Sequence, residues 1–345
     1  MDWVRGESIG RGSFAKVNLA IPRNSSIQFS SPTAVKSSEV STSSSLKSEK
    51  RILDNIGSCP RIIRCFGDDY TFENGSEYYN LFLEYASGGS LSDQLKLHGG
   101  RFKETSVRGY AKSIIEGLMH IHEKGFVHCD IKLQNILVFS EGEIKIADFG
   151  LAKKTRENEK KTGFECRGTP LFMSPESVND GEYESPADIW AFGCAVVEMV
   201  AGKPAWNVNN DQSVFSLFVR IALGEELPEI PEELSQEGKD FLAKCFIKDP
   251  TKRWTAEMLL KHPFLSDGTV TLECANEKKP SPRSQFDFPD WVSSTTASVP
   301  SSPEFGEFDS TSLFNFFSPA DRLREIATNN GPLDWSESDG WTCVR

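Results

Sequence analysis

The spacing of apolar residues changes partway along this chain, and that change limits the folds open to it. Over roughly the first forty positions polar and apolar residues alternate, as in strands with one buried face. "ESIGRGSFAKVNLAI" reads as strand, glycine turn, strand. Residues 23–32 read as a loop, "TAVKSS" as a further strand, and 41–45, nearly all Ser and Thr, as another loop. Leu46, Ile52, Leu53 and Ile56 then suit one face of a helix, and "YYNLFLEYA" is a strongly apolar strand. From Glu104 onward the period becomes that of a helix. Val107, Tyr110, Ala111, Ile114, Ile115, Leu118, Met119 and Ile121 form one broad apolar face. Helical patterns follow at 185–202, 211–223, 235–247 and 255–261. The fold class is therefore α+β, with a small β-rich front and a larger helical body, and no repeat suggests a solenoid.

Composition shifts after Phe264-Leu265. Residues 266–345 are rich in Ser, Pro and acid, with thirteen Asp and Glu against six Lys and Arg, so they carry −7 of the net −12. Such a stretch reads as a largely disordered tail. The net charge argues against bulk binding to nucleic acid or anionic membranes. No apolar run has the length of a membrane span, and "MDWVRGESIG" lacks a signal-peptide apolar region. The eight cysteines form no CxxC pair, which argues against zinc and fits reduced thiols in the cytoplasm or nucleus.

Four motifs carry chemistry. Gly10-Arg11-Gly12-Ser13-Phe14-Ala15-Lys16-Val17 lies between two strands, where glycine lets backbone N–H groups approach phosphate oxygens. An ordinary hairpin turn would look the same. Ala15 stands where a third glycine is common, and no GK[ST] follows, so this is not a Walker loop. Lys36 sits in the apolar strand after the loop. If buried it needs an acidic partner, for which Glu49 on the next helix is the best candidate; a solvent-facing lysine is the alternative. In "VHCDIKLQN", Asp130 is suited to accept a hydroxyl proton, Lys132 to steady a phosphoryl group and Asn135 to offer an oxygen to magnesium. A polar loop with Asp130 capping a turn is the other account. In "GEIKIADFG", Asp148 follows a short strand, where a carboxylate can hold a metal bridging phosphates.

These motifs, in this order, resemble the protein kinase family over residues 3–265, with the small lobe at about 3–84 and the large lobe at about 90–265. "SPE" at 174–176, "DIW" at 188–190 and "DPTKRWTAEMLLKHPF" add to the match. More narrowly, "RGTPLFMSPE", "CDIKLQNIL" and "ADIWAFGCAVVEM" are similar to plant MAP kinase kinase kinases of the MEKK-like group. The resemblance implies a bilobal fold with ATP between the lobes, Mg2+, and phosphoryl transfer to Ser/Thr on a MAP kinase kinase. By position it implies that residues 10–17 cover the phosphates and that Ile9, Ala34 and Leu137 belong to the nucleotide site. Lys36 would hold phosphates and pair with Glu49. Leu83 would be the gatekeeper, with Glu84 and Ala86 presenting backbone to adenine and Ser90 or Asp93 reaching the ribose. Asp130 would be the base, assisted by Lys132, with Asn135 and Asp148 on the metal. Glu176 would pair with Arg253, and Asp188 would brace the catalytic loop. Lys132 with Gly168-Thr169-Pro170 fits the serine/threonine pattern. The rival class is a pseudokinase scaffold, but every member of the catalytic set is present.

The sequence departs from the family at Cys129, where an arginine usually pairs with a phosphate on the activation segment. A thiol carries no positive charge, so one phosphate anchor is missing. Activity is expected to depend less on phosphorylation there, with Lys153, Lys154, Arg156, Lys160, Lys161 and Arg167 as compensating cations. Cys129 itself reads as a small hydrophobe, or else as a redox-sensing thiol. In the tail, Ser281, Ser302 and Ser318 precede prolines and fit phosphorylation by a downstream MAP kinase; ordinary low-complexity sequence is the alternative. Phe316, Phe317, Leu323 and Ile326 suit a helix capped at Ser318, read as a docking or autoinhibitory segment or one that packs on the body. "DWSESDGW" is acidic and aromatic and has no assignment.

Overall fold

The alternation in the front of the chain becomes a five-stranded antiparallel sheet. The computed structural model describes residues 3–12, 15–23, 32–155, 166–207 and 213–266. In it β1 (Trp3–Arg11), β2 (Lys16–Pro22), β3 (Thr33–Glu39), β4 (Cys65–Glu73) and β5 (Ser76–Glu84) stand in the order β1-β2-β3-β5-β4. Ser13, Phe14, the activation-segment residues 156–165 and the tail motifs lie outside the described residues.

Helix α1 (Ser44–Ile56) buries Leu46, Glu49, Ile52, Leu53 and Ile56, four of them the apolar residues expected on one face. The 41–45 stretch is not the plain loop its composition suggests. Val40–Thr42 forms a turn of 3-10 helix and α1 begins at Ser44. The short hydroxyl side chains close local bonds there: Ser43 Oγ donates to Val40 O at 2.8 Å, and Thr42 Oγ1 donates to Glu39 O at 3.2 Å.

The larger lobe contains α2 (Leu91–Leu97), α3 (Glu104–Glu123), β6 (Phe126–Val127), β7 (Ile136–Val138), β8 (Ile144–Ile146), β9 (Lys153–Lys154), α4 (Pro175–Asp180), α5 (Ser185–Ala201), α6 (Val214–Ala222), α7 (Gln236–Cys245) and α8 (Ala256–Leu260). Strands β7 and β8 pair as one ribbon, β6 and β9 as another. The helices start where hydroxyl caps allow. Ser213, Ser235 and Thr255 each accept a backbone N–H three residues on.

Helix α5 is apolar nearly all round and buried from Ala187 to Val197, so it forms the centre of this lobe. Trp190 meets Phe246 edge-on at 5.3 Å. The lobes are joined through the chain that follows α1. Ile63 N donates to Ile146 O at 2.9 Å, Ile146 N to Arg61 O at 2.8 Å, and Arg61 Nε reaches Glu116 on α3 at 2.7 Å.

Glu176 at the start of α4 is gripped by Arg253 in a fork of 2.6 and 3.0 Å, and both side chains are buried. Arg253 also donates to the carbonyls of Pro186, Ile247 and Lys248. Arg253→Ala would strand a buried carboxylate, so the expected loss is about 3–5 kcal/mol. A urea-unfolding midpoint close to wild type would contradict this. Arg253→Lys is expected to recover only part, because an ammonium cannot make the fork.

Candidate active site

Strand β3 carries Lys36 inward, and its half-buried ammonium is doubly paired. Nζ lies 2.7 Å from Glu49 Oε2 on α1 and 2.9 Å from Asp148 Oδ1 after β8. Burial works against the charge on Lys36, but Asp148 and Glu49 together outweigh it and hold the group protonated. Burial likewise opposes the charge on Asp148, yet Lys36 dominates and brings that carboxyl down to about 2. Asp148 adopts φ 63, a left-handed conformation uncommon outside glycine. Glu49 Oε1 accepts from Phe149 N at 3.2 Å, and Phe149 is fully buried against the His128 ring at 4.9 Å.

The catalytic loop is fixed from beneath. Asp188 on α5 accepts from the backbone N–H of His128 at 2.8 Å and of Cys129 at 2.9 Å, and lies 2.9 Å from His122 Nε2. Cys129 is thereby held at φ 67. Asp130 Oδ1 accepts from Thr169 Oγ1 at 2.7 Å; its Oδ2 accepts from Asn135 Nδ2 at 2.9 Å and pairs with Lys132 at 2.9 Å. Lys132 also donates to Thr169 Oγ1 at 2.9 Å. Both known bonds of the Asn135 amide nitrogen go to Asp130, one to its backbone oxygen at 2.8 Å, which turns the amide oxygen elsewhere.

Gly168 is required at its position. It has φ +96, and a Cβ there would sit 2.3 Å from Cys129 O. Thr169 reaches Asp130 only because this close approach is possible. The Cys129 thiol is half-buried. Burial drives its pKa well up, Asp188 adds to that, and the charges of Arg167 and Lys153 do not offset it. It is a neutral thiol. Both described ends of the activation segment are tied to the large lobe by hydrogen bonds and strand pairing. Thr155 donates its N–H and hydroxyl to Gly125 O, β9 pairs with β6, and Arg167 N donates to Tyr183 Oη at 2.8 Å.

The other expected residues gather above this floor. Gly12 N donates to Ala15 O at 2.7 Å, closing the turn between β1 and β2, where Arg11 pairs with Lys16 and Gly10 with Val17. Ile9, Ala15 and Ala34 are buried yet belong to neither apolar core cluster. Ala34 lies opposite Leu83. Leu83 and Ala86 are buried, and Leu137 is partly buried against the same core. Glu84 N is taken by Arg64 O, and its side chain pairs with Lys145 at 2.7 Å. Ser90 and Asp93 form a reciprocal cap on α2, Ser90 N to Asp93 Oδ2 at 2.9 Å and Asp93 N to Ser90 Oγ at 3.1 Å, so here they serve each other.

The protein kinase domain model matches residues 3–265. The chain is 48% identical to mitogen-activated protein kinase kinase kinase 20 of Arabidopsis thaliana, over the full length of both. It is 43% identical to kinase kinase kinase 17 of the same plant over 77% of this chain and 70% of that one. To kinase kinase kinase 18 it is 42% identical, over 77% and 78%. The chain belongs to the protein kinase family. It is a serine/threonine protein kinase of the mitogen-activated protein kinase kinase kinase type, and the family implies ATP and a divalent metal ion.

Sequence reasoning missed Glu198. It projects from α5 and is half-buried, and its Oε2, shielded from solvent, has no hydrogen-bond partner among the described residues. Its helix is so apolar that the acid could have been flagged as needing one. Burial raises the carboxyl from 4.5 to about 7, only partly opposed by Lys132. A folded-state pKa above the unfolded one gives stability that is present at low pH and lost as pH rises toward 7. Glu198→Gln is therefore expected to flatten stability between pH 4.5 and 7 and to gain up to about 3 kcal/mol at pH 8. Urea unfolding at pH 5 and pH 8 measures it; an equal effect at both would contradict the assignment.

Proposed function

We propose that this kinase transfers the γ-phosphoryl group of ATP to a serine or threonine of a MAP kinase kinase in a plant signalling cascade. The observation that carries the catalytic reading is the Asp130 carboxylate, held by Thr169, Asn135 and Lys132 in one orientation. From there Asp130 takes the proton of the attacking hydroxyl, and Lys132 steadies charge beside it. Lys36, kept protonated by two carboxylates, holds the α and β phosphates. Residues 10–17 cover the phosphates, while Ile9, Ala34, Leu83, Glu84, Ala86, Ser90 and Leu137 form the nucleoside site. The donor set fits magnesium: the Asn135 amide oxygen and the ionised Asp148 are hard oxygen ligands. Bound there, the ion would neutralise phosphate charge. The substrate reading is supported by similarity to kinases named for acting on MAP kinase kinases.

Radiolabel transfer from ATP and magnesium to inactive MAP kinase kinases tests this. Wild type should label them without an upstream activator, and Asp130→Asn should lower the rate by at least ~10^2-fold. Lys36→Met should also abolish labelling. A folded, ATP-binding wild type that transfers nothing would favour the scaffold reading. Because Cys129 offers no cation to anchor a phosphate, Thr155→Ala with Thr162→Ala should retain most activity; near-total loss would refute the reduced dependence on phosphorylation.

The Ser-Pro pairs at Ser281, Ser302 and Ser318 are proposed acceptors for a downstream MAP kinase. Replacing all three with Ala should remove the label that an active MAP kinase adds to the chain, and unchanged labelling would dismiss them.

A further inference from the structure

Between Arg220 and Lys239 the chain carries six glutamates and no cation. Three of them are engaged: Glu226 with Arg220 at 2.9 Å, Glu229 with Lys203 at 3.3 Å and Glu237 with Arg108 at 3.8 Å. Glu225, Glu232 and Glu233 are exposed, and no cation forms an ion pair with them among the described residues. The run is firmly seated. Pro228, Pro231 and Leu234 are buried, with the period of an extended chain of three residues per turn, and the glutamates between them face outward. Glu229 N donates to Ala205 O at 2.9 Å, and Lys248 holds Gly224 O. Leu223 and Leu227, on either side of Glu225, are 53% and 50% exposed. The result is an acidic ridge with an apolar step at one end.

The tail leaves the domain at the other end of this ridge. One guanidinium joins the two: Arg108 donates from Nη1 to Phe264 O at 3.0 Å and from Nη2 to Ser235 Oγ at 3.2 Å. A Cβ added at Gly238 would meet Leu234 at 2.9 Å and Phe264 at 3.0 Å, so those two side chains flank one point. Beyond Ser266 the chain carries a net charge of −7, yet three of its six cations, Lys278, Lys279 and Arg283, fall close together, with Phe286 just after them. Arg322 and Arg324 stand instead beside Asp321 and Glu325, and Arg345 is the last residue. The chain from Ser266 to Lys278 spans up to about 40 Å, and the ridge from Leu223 to Glu233 at most about 35 Å, so the basic stretch reaches all of it. Tethering raises its effective concentration at a surface next to its own exit.

We propose that residues 278–286 dock back, within the same chain, along the ridge formed by residues 223–233. The segment lies antiparallel to the ridge. Lys278 and Lys279 pair with Glu232 and Glu233 near the exit, Arg283 pairs with Glu225, and Phe286 covers Leu223 and Leu227. Ser281 lies between these cations, so a phosphate on it brings up to about two negative charges to the contact and releases the segment. That release rests on the phosphorylation of Ser281 proposed above; the docking does not.

Carbodiimide coupling of the full-length protein tests it, using an equal mixture of 15N-labelled and unlabelled chains read by mass spectrometry. The reagent joins carboxylates to lysine amines. Lys278 and Lys279 are the only lysines beyond Ser266, so their links report on this segment alone. Lys261 with Glu257, an exposed pair at 2.7 Å, serves as the positive control. Links from Lys278 or Lys279 to Glu232 or Glu233, each within one isotopic species, are expected. Leu223→Ser with Leu227→Ser changes only half-exposed side chains and should cut their yield, relative to the control, at least about fivefold. Raising the salt from about 0.05 to 0.5 M shortens the screening length from about 14 to 4 Å and should do the same. Ser281→Asp should lower the yield at least about twofold. Control links without these ones would overturn the proposal, as would an unchanged yield in the double leucine variant. Mixed-isotope products would overturn it in favour of a second copy, and links from these lysines to other acids of the domain in favour of another face. An unchanged yield with Ser281→Asp would overturn release by phosphate.

Discussion

Asp188 is the buried carboxylate on which the catalytic loop hangs. It takes two consecutive backbone N–H groups, His128 and Cys129, and so forces the turn that places Asp130. Cys129 could not rest at φ 67 without such a hold, since left-handed backbone is unfavourable for a residue with a Cβ. The anchor works because α5 is itself the centre of the lobe. The loop therefore inherits the rigidity of the best-packed helix, and Asp130, Asn135 and Thr169 can hold fixed positions above it.

The smaller lobe joins that floor through one cation. Lys36 touches α1 through Glu49 and the metal-proposed acid Asp148 at once, so strand, helix and catalytic floor share a single half-buried charge. Removing Lys36 leaves two carboxylates facing each other, one of them almost wholly buried, which is costly. This explains why a lysine in an apolar strand is stable here and why it stays protonated.

Much of this was legible in the residues. Period and motif order gave the two parts, because buried faces impose 2.0 and 3.6 repeats directly. Lys36 with Glu49 was readable because a buried ammonium demands an acid. Other features were not. The 3-10 turn at Val40–Thr42 hides in a Ser/Thr stretch whose bonds are local. Ser90 and Asp93 carry the right chemistry for a ribose, but a cap uses the same groups. Gly168 is demanded by a carbonyl thirty-nine positions earlier, and Glu198 is anomalous only once α5 is known to be buried along most of its length.

The bridge between Ile62 and Ile146 has a consequence for how the protein is made. The front sheet emerges from the ribosome first, but its seat on the larger lobe, at Ile146 and Glu116, is not yet translated. At about 5–20 residues per second the eighty-odd residues between them take on the order of ten seconds. During that interval Ile62 and Ile63, almost wholly covered in the finished fold, lack the contacts that the larger lobe supplies. A chain in that state exposes apolar surface of the kind that chaperones shield during synthesis.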